Sequence, residues 1–151
     1  MKKWFLCLAI LVACTSQSKD VPPRDRTLVE ECPKPTRKLV LKELRKLGVK
    51  HPRIVLAQSM LETGHYKSSL TRTHNNLFGF RTSNGYLRFK NWKESCAYYK
   101  RWQDRHYNPS NHNSYYGFLR WIGYAEDPEY TTKLKTIANA SDRSKTKRLP
   151  N

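Results

Sequence analysis

The segment Ile54-Val55-Leu56-Ala57-Gln58-Ser59-Met60-Leu61-Glu62-Thr63-Gly64 constrains this chain more than any other part of it. It is an apolar stretch whose one charge is Glu62. Pro52 at a first helical position and Gly64 just past the end bound it as a helix. Gln58 and Glu62, four residues apart, fall on one face of that helix. Burying a carboxylate against Leu and Met is costly, because desolvation disfavours the charged form. A protein tolerates this where the acid must hold a proton near neutral pH, as a general acid does. Between Arg37 and Gln103 the other acids are Glu43 and Glu94 alone, so Glu62 has few rivals for that role. The residues by themselves also allow a plainer reading, with Glu62 at a helix end reaching solvent past Gly64.

The first residues read as an address. Met1-Lys2-Lys3 supplies positive charge, and the apolar run from Trp4 to Ala13 is far shorter than a membrane span. Leu11-Val12-Ala13-Cys14 is similar to a bacterial lipobox, which implies a signal peptide over residues 1–13 and a diacylated Cys14. Such a lipid anchors a protein to a membrane without spanning it. Residues 14–35 are polar, carry Pro22, Pro23, Pro33 and Pro35, and read as a flexible tether. Residues 36–138 have the size of a single core-forming domain. Residues 139–151 are basic and polar and read as a disordered tail. With Cys7 in the leader and Cys14 acylated, Cys32 and Cys96 remain. In an oxidising compartment they form either a disulfide or two free thiols. The histidines show no zinc-ligand spacing, so no metal site is expected.

The net charge of +17 would point to nucleic acid in a cytosolic protein. The export signal redirects it toward lipid head groups and cell-wall polymers, and no nucleic-acid partner is expected. Lys and Arg are scattered along every segment, the pattern of a solvated basic surface.

Periodicity predicts a mainly helical domain. Residues 36–47 place Leu39, Val40, Leu44 and Leu47 on one face and stop at Gly48. Residues 66–74 form a short helix or turn. Residues 77–81 and 86–89 flank Thr82-Ser83-Asn84-Gly85, where Asn84-Gly85 signals a hairpin. Asn91 with Glu94 starts a capped helix running to Arg105. Residues 115–125 form another helix, and Asp127-Pro128 starts the last.

Three blocks then carry a family resemblance: Ala57-Gln58-Ser59-Met60-Leu61-Glu62-Thr63-Gly64, Asn75-Asn76-Leu77-Phe78-Gly79 and Tyr124-Ala125-Glu126-Asp127-Pro128-Glu129-Tyr130. In this order they resemble the bacterial glucosaminidase domain family, the peptidoglycan N-acetylglucosaminidases related to the flagellar wall hydrolase and several autolysins. The resemblance covers residues 52–137. It implies a lysozyme-like, mainly α (α+β) fold with one inserted β-hairpin. The implied activity is hydrolysis of the β-1,4 glycosidic bond that follows N-acetylglucosamine, on peptidoglycan glycan strands and without a cofactor. Glu62 resembles the acid that protonates the leaving oxygen. Tyr124 resembles an aromatic facing that acid across the groove, or else is a packed ring with its hydroxyl on backbone. Asn75 and Asn76 offer paired donors and acceptors for sugar groups, with local capping as the alternative. Tyr86, Trp92, Trp121 and Tyr130 line the groove by stacking or belong to the core. Phe78 and Gly79 read as structural, Gly79 as a position with no room for a side chain.

One departure stands out. Many glycosidases use two carboxylates, and in a number of relatives the second lies on or near the hairpin, yet residues 80–91 contain no Asp or Glu. Glu94 occupies a capping-box position. Glu94 or Glu126 as base, assistance from the substrate's N-acetyl group, or water held by Tyr124 all remain open. So do three functional classes: a wall hydrolase, a membrane-anchored lipoprotein that binds glycan without cutting it, and a lytic transglycosylase that needs one acid.

Overall fold

The computed structural model describes residues 32–146, with side chains as far as residue 140. The signal peptide, Cys14, the tether before Cys32 and residues 147–151 lie outside the described residues. Among the described residues, six α-helices and one two-stranded antiparallel hairpin make a lysozyme-like α+β fold.

Helix α1 (Arg37–Lys46) starts where Thr36 Oγ1 accepts the Leu39 amide at 3.3 Å. It ends in a Schellman turn: Gly48, at φ +68°, and Val49 donate back to the carbonyls of Arg45 and Leu44. Helix α2 (Pro52–Glu62) is buried from Val55 to Met60. It packs on α1 to one side and on α6 (Tyr130–Thr146) to the other, while α1 also packs on α4 (Trp92–His106). A helix enclosed this way carries apolar residues around its whole circumference.

Glu62 is the last residue of α2 because the chain turns sharply after it. Gly64, His65 and Tyr66 all have positive φ, and the latter two have side chains that disfavour it. They are held there by the Tyr66 amide donating to Thr63 Oγ1 at 3.0 Å and by a 2.9 Å bond between the Tyr66 and Ser59 hydroxyls. No turn motif in the sequence marks this left-handed run.

Helix α3 (Ser69–His74) leads into the hairpin, which is shorter than its sequence predicts: β1 (Arg81–Thr82) pairs with β2 (Gly85–Tyr86) in the register Arg81 opposite Tyr86. The turn centres on Ser83 and Asn84, so Gly85 belongs to the strand, at φ +109°. Helix α5 (Tyr115–Trp121) also ends earlier than residue 125, and a single 3₁₀ turn at Pro109–Asn111 precedes it. The early stop leaves residues 122–129 as an irregular segment beside the hairpin. Asp127 still organises the start of α6, with Oδ1 accepting the Glu129 amide at 2.9 Å. Helix α6 continues to Thr146, so helix replaces the first part of the segment expected to be a disordered tail.

Residues 32–35 are docked, unlike a free tether. Cys32 packs against the core, and the Trp92 indole donates to the Pro33 carbonyl at 2.6 Å. Cys32 and Cys96 are both free thiols, not a disulfide. Cys96 is fully enclosed, and its burial pushes the thiol well up from its ordinary value.

Candidate active site

A groove of about 770 Å³ opens along the face formed by the end of α2, the hairpin, α4 and the α5–α6 segment. Glu62 sits in its wall with Gly79, Phe80, Trp102 and Tyr124, and Arg81 and Tyr86 reach it from the hairpin. One carboxylate oxygen, Oε1, accepts from the Tyr130 hydroxyl at 2.8 Å. The other, Oε2, lies against Gly79, where a Cβ would stand 3.2 Å away. Gly79 combines this close approach with φ +68°, so both space and backbone conformation call for glycine. Burial raises the Glu62 pKa, and the Tyr130 hydrogen bond offsets part of that rise. The acid is therefore biased toward holding its proton above the ordinary carboxylate range.

Tyr124 lines the groove near Glu62, but its hydroxyl donates to the Phe78 carbonyl at 3.1 Å. Its proton is thus committed to backbone, which ties the α5–α6 segment to the base of the hairpin. The oxygen keeps acceptor capacity. Burial, with the charges around it, holds the phenol protonated.

Several residues expected to bind substrate serve the fold. Asn76 is fully buried; its amide donates to the Phe80 and Leu87 carbonyls at 2.8 and 3.1 Å, and its oxygen accepts the Phe78 and Phe80 amides. One side chain thereby replaces the sheet hydrogen bonds that so short a hairpin lacks. Asn75 caps α3 at φ +52° and donates to the Phe89 and Lys90 carbonyls at 3.0 and 3.1 Å. Asn76 thus spends both ends of its amide on backbone, and Asn75 spends its N–H donors there. Trp92 is 3 % exposed and packs in the core, so it is an anchor and not a stacking platform. Tyr130 is buried beneath the groove, stacked on Tyr124 with centroids 5.8 Å apart, and acts as the partner of Glu62 instead of a sugar contact. Tyr86 alone of the proposed stacking rings lines the groove, half-exposed beside Arg81. Trp121 is exposed but is not among the groove-lining residues.

The candidate second acids separate. Glu94 Oε2 accepts the Lys90 amide at 2.9 Å at the start of α4, a capping role. Glu126 lines the groove. Sequence reasoning missed the contributions of Trp102, His106 and Arg81, since nothing in their spacing links α4 and the hairpin to the end of α2.

The fold is a helical lysozyme-like domain with a partly buried carboxyl group in the wall of a groove. The glucosaminidase family model, described as mannosyl-glycoprotein endo-beta-N-acetylglucosaminidase, matches residues 37–143, and the chain belongs to this family. Membership makes it a peptidoglycan-related protein of the glycoside hydrolase kind, with a glycan substrate and a cell-wall role. No curated protein matches the chain at a significant level. Among the described residues no helix is long and apolar enough to cross a membrane.

Proposed function

We propose that the protein hydrolyses the β-1,4 bond following N-acetylglucosamine in peptidoglycan, with Glu62 as general acid. The observation that carries this reading is the two-sided setting of Glu62 in the groove wall: Oε1 bonded to a buried phenol, Oε2 beside Gly79, and a pKa raised by burial. Protonation of the leaving oxygen lets the glycosidic bond break toward an oxocarbenium-like transition state. Tyr124, whose proton is held by Phe78, offers an oxygen lone pair that orients water or opposes positive charge on the sugar ring. Glu126 is the acid that supports the attacking water, because Glu94 is committed to its cap. Tyr86 supplies a stacking face, and Arg81 meets anionic substituents of the glycan.

The test is mass spectrometry of purified wall after incubation with the protein. Reducing N-acetylglucosamine ends are expected, with a slower release by Glu126→Gln. Anhydro-muramyl ends would instead make the protein a lytic transglycosylase, a reading favoured by the acid-free hairpin, and uncut wall would make it a glycan binder.

We further propose export and a lipid anchor at Cys14, on the leader's lipobox-like Leu11-Val12-Ala13-Cys14. The protein should then partition with membranes, and Cys14→Ser should release it or leave it unprocessed. Mature wild-type protein that stays soluble with an unmodified Cys14 thiol would remove the anchor.

A further inference from the structure

Behind Glu62 runs a buried chain of hydrogen bonds that crosses the domain. It starts at a backbone amide whose donor and acceptor cannot exchange. The Lys50 N–H donates to Gln103 Oε1 at 2.7 Å, and Gln103 Nε2 donates to the Lys50 carbonyl at 3.0 Å. That pair fixes which way the Gln103 amide points. Its remaining N–H donates to the Tyr115 hydroxyl at 2.8 Å.

A hydroxyl has one proton to give. Tyr115 accepts from Gln103, and among the described residues the acceptor within reach of its own proton is the Tyr99 hydroxyl at 2.7 Å, so Tyr115 donates onward and Tyr99 donates to Gln58 Oε1 at 2.6 Å. This sets the Gln58 amide in turn. Its Nε2 faces the Tyr130 hydroxyl at 3.4 Å, and Tyr130 donates to Glu62 Oε1 at 2.8 Å. Gln58, Tyr99, Gln103 and Tyr115 are at most 1 % exposed, so water does not compete for these groups. Burial raises the pKa of each phenol in the chain, that of Tyr115 to about 12, so each keeps its single proton. Reversing one link would leave a buried donor facing a donor, which is costly in a low-dielectric interior.

We propose that this one-way chain, anchored at the Lys50 backbone, fixes Tyr130 as a donor to Glu62 Oε1 and so keeps the exchangeable proton of Glu62 on Oε2, the oxygen beside Gly79. Gln58, Tyr99, Tyr115 and Gln103 are then positioning residues, acting on a group they do not all touch. The proposal rests on the reading of Glu62 as the acid and adds to it which oxygen delivers the proton. Without the chain, Tyr130 would be free to turn toward Gln58 and accept from Glu62, drawing the proton to the buried side.

The direct test needs no activity. In isotopically labelled wild-type protein, NMR contacts of the Gln58 side-chain amide protons should run to the ring of Tyr130 and not to that of Tyr99. The opposite pattern overturns the proposal. Tyr99→Phe then removes the donor that sets Gln58, and the ¹³C titration of the Glu62 carboxyl should shift upward by ~0.5–1 pH unit as Tyr130 turns away. The basic limb of the kcat/KM profile should follow, with KM little changed. The titratable groups facing Glu62 are Tyr130 and Tyr124, with Arg81, Tyr86, His106 and Glu126 around the groove, and all are kept in this variant. A folded Tyr99→Phe protein with an unmoved Glu62 titration also overturns the proposal. If that variant does not fold, the wild-type contacts decide alone. Failure of the glycosidase reading would look different, with lysis insensitive to Glu62 while the carboxyl titration still moved.

Discussion

Glu62→Gln is expected to lower wall-glycan cleavage by at least about 10²–10⁴-fold while the protein stays folded. Glutamine keeps the shape of the side chain and an oxygen that accepts from Tyr130, but it has no proton to give. Its effect on stability should run the opposite way. The folded-state pKa of Glu62 lies above its ordinary value, so ionising the group penalises the folded state. That penalty is absent below the ordinary carboxylate pKa and grows as pH rises through the folded-state value. Glu62→Gln should therefore melt higher than wild type at neutral pH, and the difference should shrink in acid. For the wild-type enzyme, activity should fall on the alkaline side as Glu62 loses its proton, at a pH above that of an ordinary glutamate. Turbidity clearance of wall suspensions and thermal melts at several pH values measure both effects. A folded Glu62→Gln protein that clears wall at near the wild-type rate would remove Glu62 from the mechanism.

Gly79→Ala should also damage activity, by less than Glu62→Gln, although the residue carries no functional group. Its φ of +68° strains any side chain, at a cost of about 1–2 kcal/mol. The new methyl group would also stand 3.2 Å from Glu62 Oε2. Glu62 cannot retreat freely, because Tyr130 holds Oε1 at 2.8 Å. A shift of the acid by a fraction of an ångström should lower turnover by about 10–10²-fold. Gly85→Ala separates the two causes: Gly85 has φ +109° and open space where its Cβ would be, so that variant suffers strain alone. It should lose stability and keep most of its activity. Equal loss of activity in the two variants would mean that crowding of Glu62 is not what Gly79 avoids.

Much of this architecture could be read along the chain because the signals are local. Thr36 before an amphipathic run and Gly48 after it delimit α1 through caps that involve neighbours a few residues away. Pro52 and the apolar run to Glu62 identify α2, and Asn91 with Glu94 identifies the start of α4. The hairpin was visible in composition but not in extent, because its short ladder depends on Asn76 bonding across it. Residues that looked like sugar ligands proved structural for a related reason. An Asn amide or a Trp ring has the same chemistry in a groove or in a core, and only its neighbours decide which it serves.

The helical class, the family blocks and the isolated carboxylate at the end of an apolar helix are all legible along the chain. Those are properties of spacing, periodicity and composition. Packing between distant segments sets Gly79 on one side of Glu62 and Tyr130 on the other, and brings Glu126 to the groove. Those facts join residues that are far apart along the chain, such as Tyr130 with Glu62 and Gln103 with Lys50. Such pairings are set by how α2, α4 and α6 pack around their shared core, and hydrogen-bond direction and desolvation take effect only once those surfaces have met.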